Sequence, residues 1–264
     1  MTDWLAVCRE AVADVREVLV ELPTRAEREP VVRMGVGGDE TTTIDHEVER
    51  VVIARLAERV EDYTLVSEEI GEVVRGRGRP WLALDPVDGS LNAKRGVPHF
   101  CLSLAVAEGP TMRDVVFGYV YDFGSGEEWT GRRGEGAWLD GERLGPVRPK
   151  DEIELLAFEA TLTSSIAEHA ASVVGLAYRL RVMGSLALAL CNLAAGRLDG
   201  VCSLKPARSV DIAAAQLFVR EVGLAIELFE QPPLEDAPLD LEGRSRVAAA
   251  GTPELCARLA AALA

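Results

Sequence analysis

Residues 81–90 have the sequence Trp-Leu-Ala-Leu-Asp-Pro-Val-Asp-Gly-Ser, and this motif is the most informative part of the chain. The apolar residues at its start predict a buried strand that carries Asp85 at its end. Because Pro86 lacks a backbone N–H and has a fixed φ, we expect the strand to stop there and a turn to follow. The turn brings Asp88 back near Asp85, and Gly89 allows the backbone to approach a ligand closely.

Two carboxylates that lie close together need a counter-charge. At a separation of about 4 Å they repel by roughly 4 kcal/mol when the effective dielectric constant is about 20. A divalent cation between them removes this repulsion, and oxygen ligands without histidine or cysteine favour Mg²⁺, with Mn²⁺ as a possible substitute. The backbone N–H groups of Gly89 and Ser90, at the start of a helical turn, are suited to receive a phosphate. The alternative is an ordinary turn in which Asp85 and Asp88 form only local hydrogen bonds.

Three other acidic residues stand at the ends of predicted elements. Glu68 follows a strand candidate, whereas Asp45 and Asp211 each stand near the start of a predicted helix. The alternatives are a solvated loop for Glu68, helix N-capping by Asp or Thr in the segment 39–45, and helix N-capping by Asp211. None of the three histidines lies at metal-ligand spacing from another, and the five cysteines form no C-x-x-C pair. A single metal centre, built from acids that are far apart in the chain, is therefore the more economical interpretation.

The hydrophobic periodicity divides the rest of the chain into helices and strands. We predict helices over residues 5–22, 43–60, 164–173, 185–195, 211–222 and 253–263. We predict strands over residues 63–66, 81–84, 101–107, 115–121, 153–158, 178–182, 198–202, 224–229 and 247–250. We interpret residues 23–30 as a loop, 124–145 as hairpins and 231–240 as a surface excursion. Alternating strands and helices favour a layered α/β fold, which we divide into an N-terminal half (1–148) and a C-terminal half (149–264).

The composition excludes several classes of protein. The 264 residues include 28 Lys+Arg against 43 Asp+Glu, a net charge of −15, which argues against nucleic acid or an anionic membrane as a partner. The longest uncharged run, residues 182–196, is too short for a membrane span of about 20 residues and predicts a buried helix. A charged N-terminus and scattered, unpaired cysteines favour the cytoplasm. An acidic protein that binds an anion would need to recruit positive charge.

Several motifs together resemble the inositol monophosphatase family, over about residues 35 to 230. In chain order they are Asp39-x-x-Thr42-x-x-Asp45, Glu68-Glu69, Asp85-Pro-Val-Asp88-Gly-Ser90, Gly134-Glu-Gly-Ala-Trp-Leu-Asp-Gly141, the segment 181–199 and Asp211-Ile-Ala-Ala-Ala. The sequence Ser90-Leu91-Asn92 is similar to the branch that includes archaeal-type dual fructose-1,6-bisphosphatase/inositol monophosphatases.

The resemblance implies a five-layer α-β-α-β-α sandwich and Mg²⁺-dependent hydrolysis of a phosphomonoester, usually by a homodimer. The metal ligands that it implies, for two or three Mg²⁺ ions, are Glu68, Asp85, the carbonyl of Val87, Asp88 and Asp211. It implies that Gly89 and Ser90 bind the phosphate, and that Asp45, supported by Thr42, acts with Ser90 and Glu68 to activate the attacking water. The dications would outweigh the carboxylates that bind them, which supplies the positive charge that an anionic substrate needs.

Departures from the family pattern bear on the substrate. Val210 stands where the family usually has Trp, and Leu204 stands where some inositol-specific members have a sugar-binding Glu. We therefore expect a bisphosphate such as fructose 1,6-bisphosphate as substrate, with inositol 1-phosphate as a second one. Lys205 and Arg208 are candidates to bind a second phosphate by charge-assisted hydrogen bonds, with ordinary surface charge as the alternative. Further candidate substrate contacts are Ser185 and Arg181.

Two other functions stay open on the sequence. One is a 3′-phosphoadenosine-5′-phosphate phosphatase, and the other is a metal-binding module without catalytic activity. The presence of all the expected ligands together with Asp45 and Ser90 favours the hydrolase.

Overall fold

The structure is a computed structural model that describes residues 2–36, 38, 40–148, 150, 152–159 and 162–263. Its helices are α1 (Trp4–Glu21), α2 (Arg25–Arg28), α3 (Thr43–Arg59), α4 (Ser90–Arg95), α5 (Thr163–His169), α6 (Leu186–Ala194), α7 (Ser209–Glu221) and α8 (Pro253–Leu263). Its strands are β1 (Val31–Met34), β2 (Glu40–Thr42), β3 (Tyr63–Ser67), β4 (Gly71–Arg75), β5 (Trp81–Asp88), β6 (Cys101–Ala107), β7 (Val115–Asp122), β8 (Glu128–Arg132), β9 (Gly136–Leu139), β10 (Glu142–Arg143), β11 (Ile153–Glu159), β12 (Ala177–Arg181), β13 (Gly200–Ser203), β14 (Ala225–Leu228) and β15 (Val247–Ala250).

The described strands form two large sheets and one short ribbon. The first sheet has eight strands in the order β10-β9-β8-β7-β6-β5-β3-β4, and only its β3–β5 pair is parallel. The second has five strands in the order β12-β11-β13-β15-β14, with β11 parallel to both β12 and β13. Strands β1 and β2 form the separate antiparallel ribbon.

Helices and sheets alternate in five layers, which confirms the predicted α-β-α-β-α sandwich. Helices α1 and α3 pack on one face of the eight-stranded sheet, through residues such as Val48 and Leu82. Helices α6 and α7 lie between the two sheets, and α8 covers the outer face of the five-stranded sheet. Successive side chains of β5 point to opposite faces of the sheet, so Leu82 and Leu84 pack toward α3 while Ala83 packs toward α7.

The central helices pack closely because small residues face them. A Cβ atom on Gly118 of β7 would lie 2.8 Å from the carbonyl oxygen of Ala214 in α7, so only glycine permits this approach. The uncharged run 182–196 contains α6, in which every residue but Asn192 is buried, as predicted. Among the residues that the structure describes, no helix combines the length and the apolar composition that a membrane span requires. All five cysteines are buried, as a small apolar residue would be.

Three predictions about the chain path were wrong. Strand β5 does not stop at Pro86 but continues to Asp88, because the pairing with β6 shifts register between Asp85 and Asp88 and so leaves room for a residue without an N–H. The predicted loop 23–30 contains the short helix α2. The segment 231–240 is not wholly at the surface, because Leu234 and Leu239 are buried against the central core.

Three strands were not predicted from the sequence. Strands β1 and β4 are mostly exposed, so they lack the alternation of apolar and polar residues that marks a half-buried strand. Strand β2 has only three residues. The predicted helix 164–173 is α5 followed by a 3₁₀ turn over residues 170–173.

Candidate active site

Four of the five predicted acidic residues, all but Asp45, line one cavity of about 490 Å³. It opens between the carboxyl ends of strands in both sheets and the first turns of α4, α6 and α7. The predicted site residues that line it are Glu68, Asp85, Val87, Asp88, Gly89, Ser90, Lys205, Arg208 and Asp211. The structure thus brings together Glu68, Asp85, Asp88 and Asp211, which come from three separate parts of the chain.

The topology of the first sheet explains the convergence. Strands β3 and β5 are parallel neighbours, so Glu68, which follows β3, and Asp85, near the end of β5, lie at the same edge. Helix α7 packs across β5, β6 and β7, and its first turn carries Asp211 to that edge.

Glu68, Asp85 and Asp211 form the centre of the site. Each offers a carboxylate oxygen, and the three oxygens lie within 4.8 Å of one another. Burial, together with repulsion from Asp211, raises the pKa of Glu68 to about 8. Burial also raises the pKa of Asp85 well above its usual value, with Glu68 adding to the effect, and it raises that of Asp211. A bound dication would reverse this effect, and a set of hard oxygen donors fits Mg²⁺.

Asp88 stands beside these three carboxylates and is held by the start of α6. Its Oδ2 accepts hydrogen bonds from the Ser185 hydroxyl at 2.6 Å and from the Ala187 N–H at 2.7 Å. Burial raises the pKa of Asp88 to about 6, although the Ser185 hydrogen bond opposes the rise. Ser185 itself is only 1% exposed and caps α6 by accepting from the Leu188 N–H. The structure thus places this predicted substrate contact behind Asp88.

Arg208 brings a positive charge into the centre of the site. Its guanidinium is 2.6 Å from a Glu68 oxygen and 4.0 Å from an Asp211 oxygen, and its side chain is only 7% exposed. This positive charge lowers the pKa of Glu68, Asp85 and Asp211 and so opposes the effect of burial. Arg208 is therefore not ordinary surface charge. Lys205 is exposed at the cavity wall.

Arg181 lies away from the cavity. It is exposed at the end of β12, and its guanidinium donates to the carbonyl of Leu180 at 2.9 Å. Strand β12 is the edge strand of the five-stranded sheet.

A tight turn presents Gly89 and Ser90 to the cavity. Gly89 has a φ of 94°, in the left-handed region, and caps the N-terminus of α4. A Cβ atom there would lie 3.0 Å from the carbonyl oxygen of His99, so glycine is required on both counts. The Ser90 hydroxyl donates to the Val87 carbonyl at 2.9 Å.

Thr42 and Asp45 lie close to Ser90 of this turn. The Asp45 Oδ2 accepts hydrogen bonds from the Thr42 N–H at 3.0 Å and from its hydroxyl at 2.5 Å, which is a helix-capping arrangement. Asp45 therefore takes part in capping α3. Its second carboxylate oxygen is not used for capping, so the role predicted from the sequence stays open to it. Burial raises the pKa of Asp45, and the hydrogen bonds from Thr42 together with the nearby Ser90 hydroxyl oppose the rise. Asp39, the first residue of this motif, lies outside the described residues.

Residues 4–264 match the model of the inositol monophosphatase family. The chain belongs to this family. One relative, a fructose-1,6-bisphosphatase/inositol-1-monophosphatase of Archaeoglobus fulgidus, is 32% identical over 94% of this chain and 93% of its own length. Inositol monophosphatase 2 of Rattus norvegicus is 30% identical over 94% of this chain and 89% of its own length.

A solved structure, titled an inositol monophosphatase-fructose 1,6 bisphosphatase, superimposes with a TM-score of 0.85 at 23% identity. The match covers 99% of this chain and 100% of the other, and at this identity it shows the fold alone. The inositol monophosphatase family consists of Mg²⁺-dependent sugar phosphatases, and the cluster of Glu68, Asp85 and Asp211 fits a metal site of this kind. Membership makes the chain a phosphomonoester hydrolase.

Among the cavity carboxylates that were not predicted as site residues, Glu159 is the one on the five-stranded sheet. Glu159 lies at the carboxyl end of β11, is buried and lines the cavity. Burial raises its pKa to about 7. The sequence pattern that identified Asp85, an apolar strand that ends in an acid, also occurs at Glu159.

A second buried carboxylate was missed on α3. Glu49 accepts hydrogen bonds from the Ser67 hydroxyl at 2.5 Å and from the Arg33 guanidinium at 3.2 Å. Its position on the buried face of α3 has no local signature, because only tertiary packing brings Ser67 and Arg33 to it.

Proposed function

We propose that this protein hydrolyses a sugar or cyclitol phosphate, with fructose 1,6-bisphosphate and inositol 1-phosphate as its substrates. The observation that carries the proposal is the convergence of Glu68, Asp85 and Asp211 within 4.8 Å in a cavity that also contains the Gly89–Ser90 turn. The Archaeoglobus fulgidus relative, whose name includes both phosphatase activities, supports the choice of substrates.

Two or three Mg²⁺ ions bind this cluster in the proposal, and Mn²⁺ can substitute. Glu68, Asp85 and the Val87 carbonyl hold the first ion, which is compatible with the Ser90 hydrogen bond because a carbonyl oxygen has two lone pairs. Asp85, Asp88 and Asp211 hold the second. Glu68 also helps to hold a weaker third ion through water.

When bound, these ions would lower the pKa of a coordinated water and would neutralise charge on the phosphate and the leaving oxygen. Residues of the chain bind the phosphate, orient the water and accept its proton. The N–H groups of Gly89 and Ser90 hold the phosphoryl oxygens, and the Ser90 hydroxyl orients the attacking water. Asp45 receives the proton from that water, since its Oδ1 is buried and has no hydrogen-bond partner among the residues that the structure describes. Thr42 fixes Asp45 by two hydrogen bonds.

The remaining predicted contacts serve the part of the substrate beyond the scissile phosphate. Lys205 and Arg208 meet the second phosphate of a bisphosphate, a role supported by their positions in the cavity wall. Ser185 and Arg181 stay in the proposal as weaker contacts, because one is buried behind Asp88 and the other is exposed on β12.

Neither alternative function is favoured. The similar proteins reported above are named for fructose-1,6-bisphosphatase or inositol monophosphatase activity. A metal-binding module without activity would have no need of the arrangement of Thr42, Asp45 and Ser90.

We further propose a homodimer that acts in the cytoplasm on a small-molecule substrate, without nucleic acid or membrane as a partner. The net charge of −15 and the five buried, unpaired cysteines support this setting. We also retain the division into halves 1–148 and 149–264, supported by the assignment of one large sheet to each.

The test is steady-state kinetics on fructose 1,6-bisphosphate, inositol 1-phosphate and 3′-phosphoadenosine 5′-phosphate, each with Mg²⁺ and with EDTA. We expect Mg²⁺-dependent phosphate release with the highest kcat/KM on the first two. A higher kcat/KM on the nucleotide, or no phosphate release from any of the three, would contradict the proposal.

A further inference from the structure

Glu159 is a buried carboxylate to which the proposed reaction gives no role. Its backbone is fixed at the end of β11, where its carbonyl accepts a hydrogen bond from the Leu204 N–H at 2.8 Å. Its side chain is directed at the turn 182–185, which connects β12 to α6. Oε2 accepts from the Gly184 N–H at 2.8 Å, and Oε1 accepts from the Met183 N–H at 3.4 Å.

The same turn is held from its other side by Asn92. The Asn92 amide donates to the Met183 carbonyl at 2.7 Å and to the His99 carbonyl at 2.8 Å. Gly184 has a φ of 85°, which residues other than glycine rarely adopt. The turn is therefore fixed by two side chains from different parts of the chain, one contacting its N–H groups and the other its carbonyl.

The end of this turn contacts Asp88. Ser185 donates its hydroxyl to the Asp88 Oδ2 at 2.6 Å, and the Ala187 N–H donates to the same oxygen at 2.7 Å. Movement of the turn would displace the Ser185 hydroxyl, and Ala187 follows two residues later in the first turn of α6. Glu159 is thus connected to Asp88 indirectly. Its carboxylate accepts hydrogen bonds from the turn, and Ser185 at the end of the turn donates to Asp88.

We propose that Glu159 is a positioning residue that holds Asp88, through the turn 182–185, in the orientation that binds metal. The inference rests on the proposed role of Asp88 as a metal ligand. An ionised carboxylate suits this task because both of its oxygens accept hydrogen bonds and it carries no donor that would oppose the N–H groups of the turn. The partners that orient a metal ligand commonly affect metal affinity by about 10- to 100-fold.

The experiment is calorimetric titration of the full chain with MgCl₂, without substrate. The proteins are the wild type, Glu159→Gln, Asp88→Asn and the double variant, which together form a double-mutant cycle. The matched control is Glu154→Gln, since Glu154 lies on the same strand but is exposed and paired with Arg179. Thermal unfolding of each metal-free protein is recorded alongside.

We expect Glu159→Gln to weaken Mg²⁺ binding about 10-fold or more in the wild-type background, and to have no further effect when Asp88 is already Asn. Glu154→Gln should bind Mg²⁺ as the wild type does. The inference is overturned if Glu159→Gln only lowers the unfolding temperature and leaves the Mg²⁺ affinity within twofold, or if its effect is the same in both backgrounds.

Two further outcomes separate this inference from the proposed function. If Asp88→Asn weakens Mg²⁺ binding but Glu159→Gln does not, only the inference fails. If Asp88→Asn itself has no effect, the assignment of Asp88 as a ligand fails as well. Should Glu159→Gln not fold, Asn92→Ala loosens the same turn from its other side. A loss of Mg²⁺ affinity in that variant that depends on Asp88 supports the role of the turn, and unchanged affinity contradicts it.

Discussion

The guanidinium of Arg208 lies 2.6 Å from the carboxylate of Glu68, at the centre of a cluster of buried acids. In the absence of metal this ion pair compensates negative charge that would otherwise be buried without a partner. Removal of one member of a buried pair commonly destabilises a protein by about 3–5 kcal/mol.

We therefore expect Arg208→Gln to lower the free energy of unfolding by about 3 kcal/mol in EDTA, and by less in Mg²⁺, which neutralises the same carboxylates. Urea denaturation under both conditions measures the two values. The matched control is Arg179→Gln, whose exposed pair with Glu154 should contribute about 0–1 kcal/mol. An equal loss with and without Mg²⁺ would mean that Arg208 and the ions do not neutralise the same carboxylates.

The pH dependence of stability should depend on Glu159. Its pKa is raised to about 7 by burial, from a value of 4.5 in the unfolded chain. The folded protein therefore holds this proton more tightly, so the contribution of the group to stability is greatest below pH 4.5 and is lost as the pH rises from 4.5 to 7.

Between pH 5 and pH 8 in EDTA, we expect the wild type to lose on the order of 2 kcal/mol more stability than Glu159→Gln does. Urea denaturation at a series of pH values measures this difference. Glu154→Gln should follow the wild type. Parallel profiles for wild type and Glu159→Gln would show that Glu159 has an ordinary pKa.

Asp45→Asn should separate catalysis from metal binding. Asp45 is proposed to accept the proton of the attacking water and not to bind metal, so kcat should fall about 100- to 10,000-fold with Mg²⁺ affinity nearly unchanged. Steady-state kinetics and calorimetry measure the two quantities. A matching loss of Mg²⁺ affinity would identify Asp45 as a ligand instead.

Lys205→Ala should discriminate between substrates. Loss of a charge-assisted hydrogen bond to a second phosphate should raise KM for fructose 1,6-bisphosphate about 10-fold and leave that for inositol 1-phosphate unchanged. The control is Lys150→Ala, because Lys150 pairs with Asp199 away from the cavity. Equal changes in KM for both substrates would exclude a second-phosphate site at Lys205.

The sequence predicted the acidic residues because their signals are local. An apolar strand followed by an acid is visible at Asp85, and parallel neighbouring strands then bring Glu68 to the same edge. The continuation of β5 past Pro86 was not predictable, since it depends on a shift of pairing with β6. The ion pair of Arg208 with Glu68 and the hydrogen bonds of Glu159 to the turn 182–185 depend on tertiary packing alone.

The layered fold was predictable for a similar reason. The change from helical to strand periodicity located most elements to within about two residues, and the alternation of strands and helices fixed the fold class. The exposed strands β1 and β4 were missed because exposure removes the alternating pattern on which such predictions depend.

Asp85 and its neighbours are proposed to bind the ions on which hydrolysis depends. The most direct test measures phosphate release from fructose 1,6-bisphosphate across a Mg²⁺ titration. It compares the wild type with Asp85→Asn. We predict release by the wild type only when Mg²⁺ is present, and none by Asp85→Asn at any Mg²⁺ concentration. Near-normal turnover by Asp85→Asn, or by the wild type in EDTA, would contradict the claim.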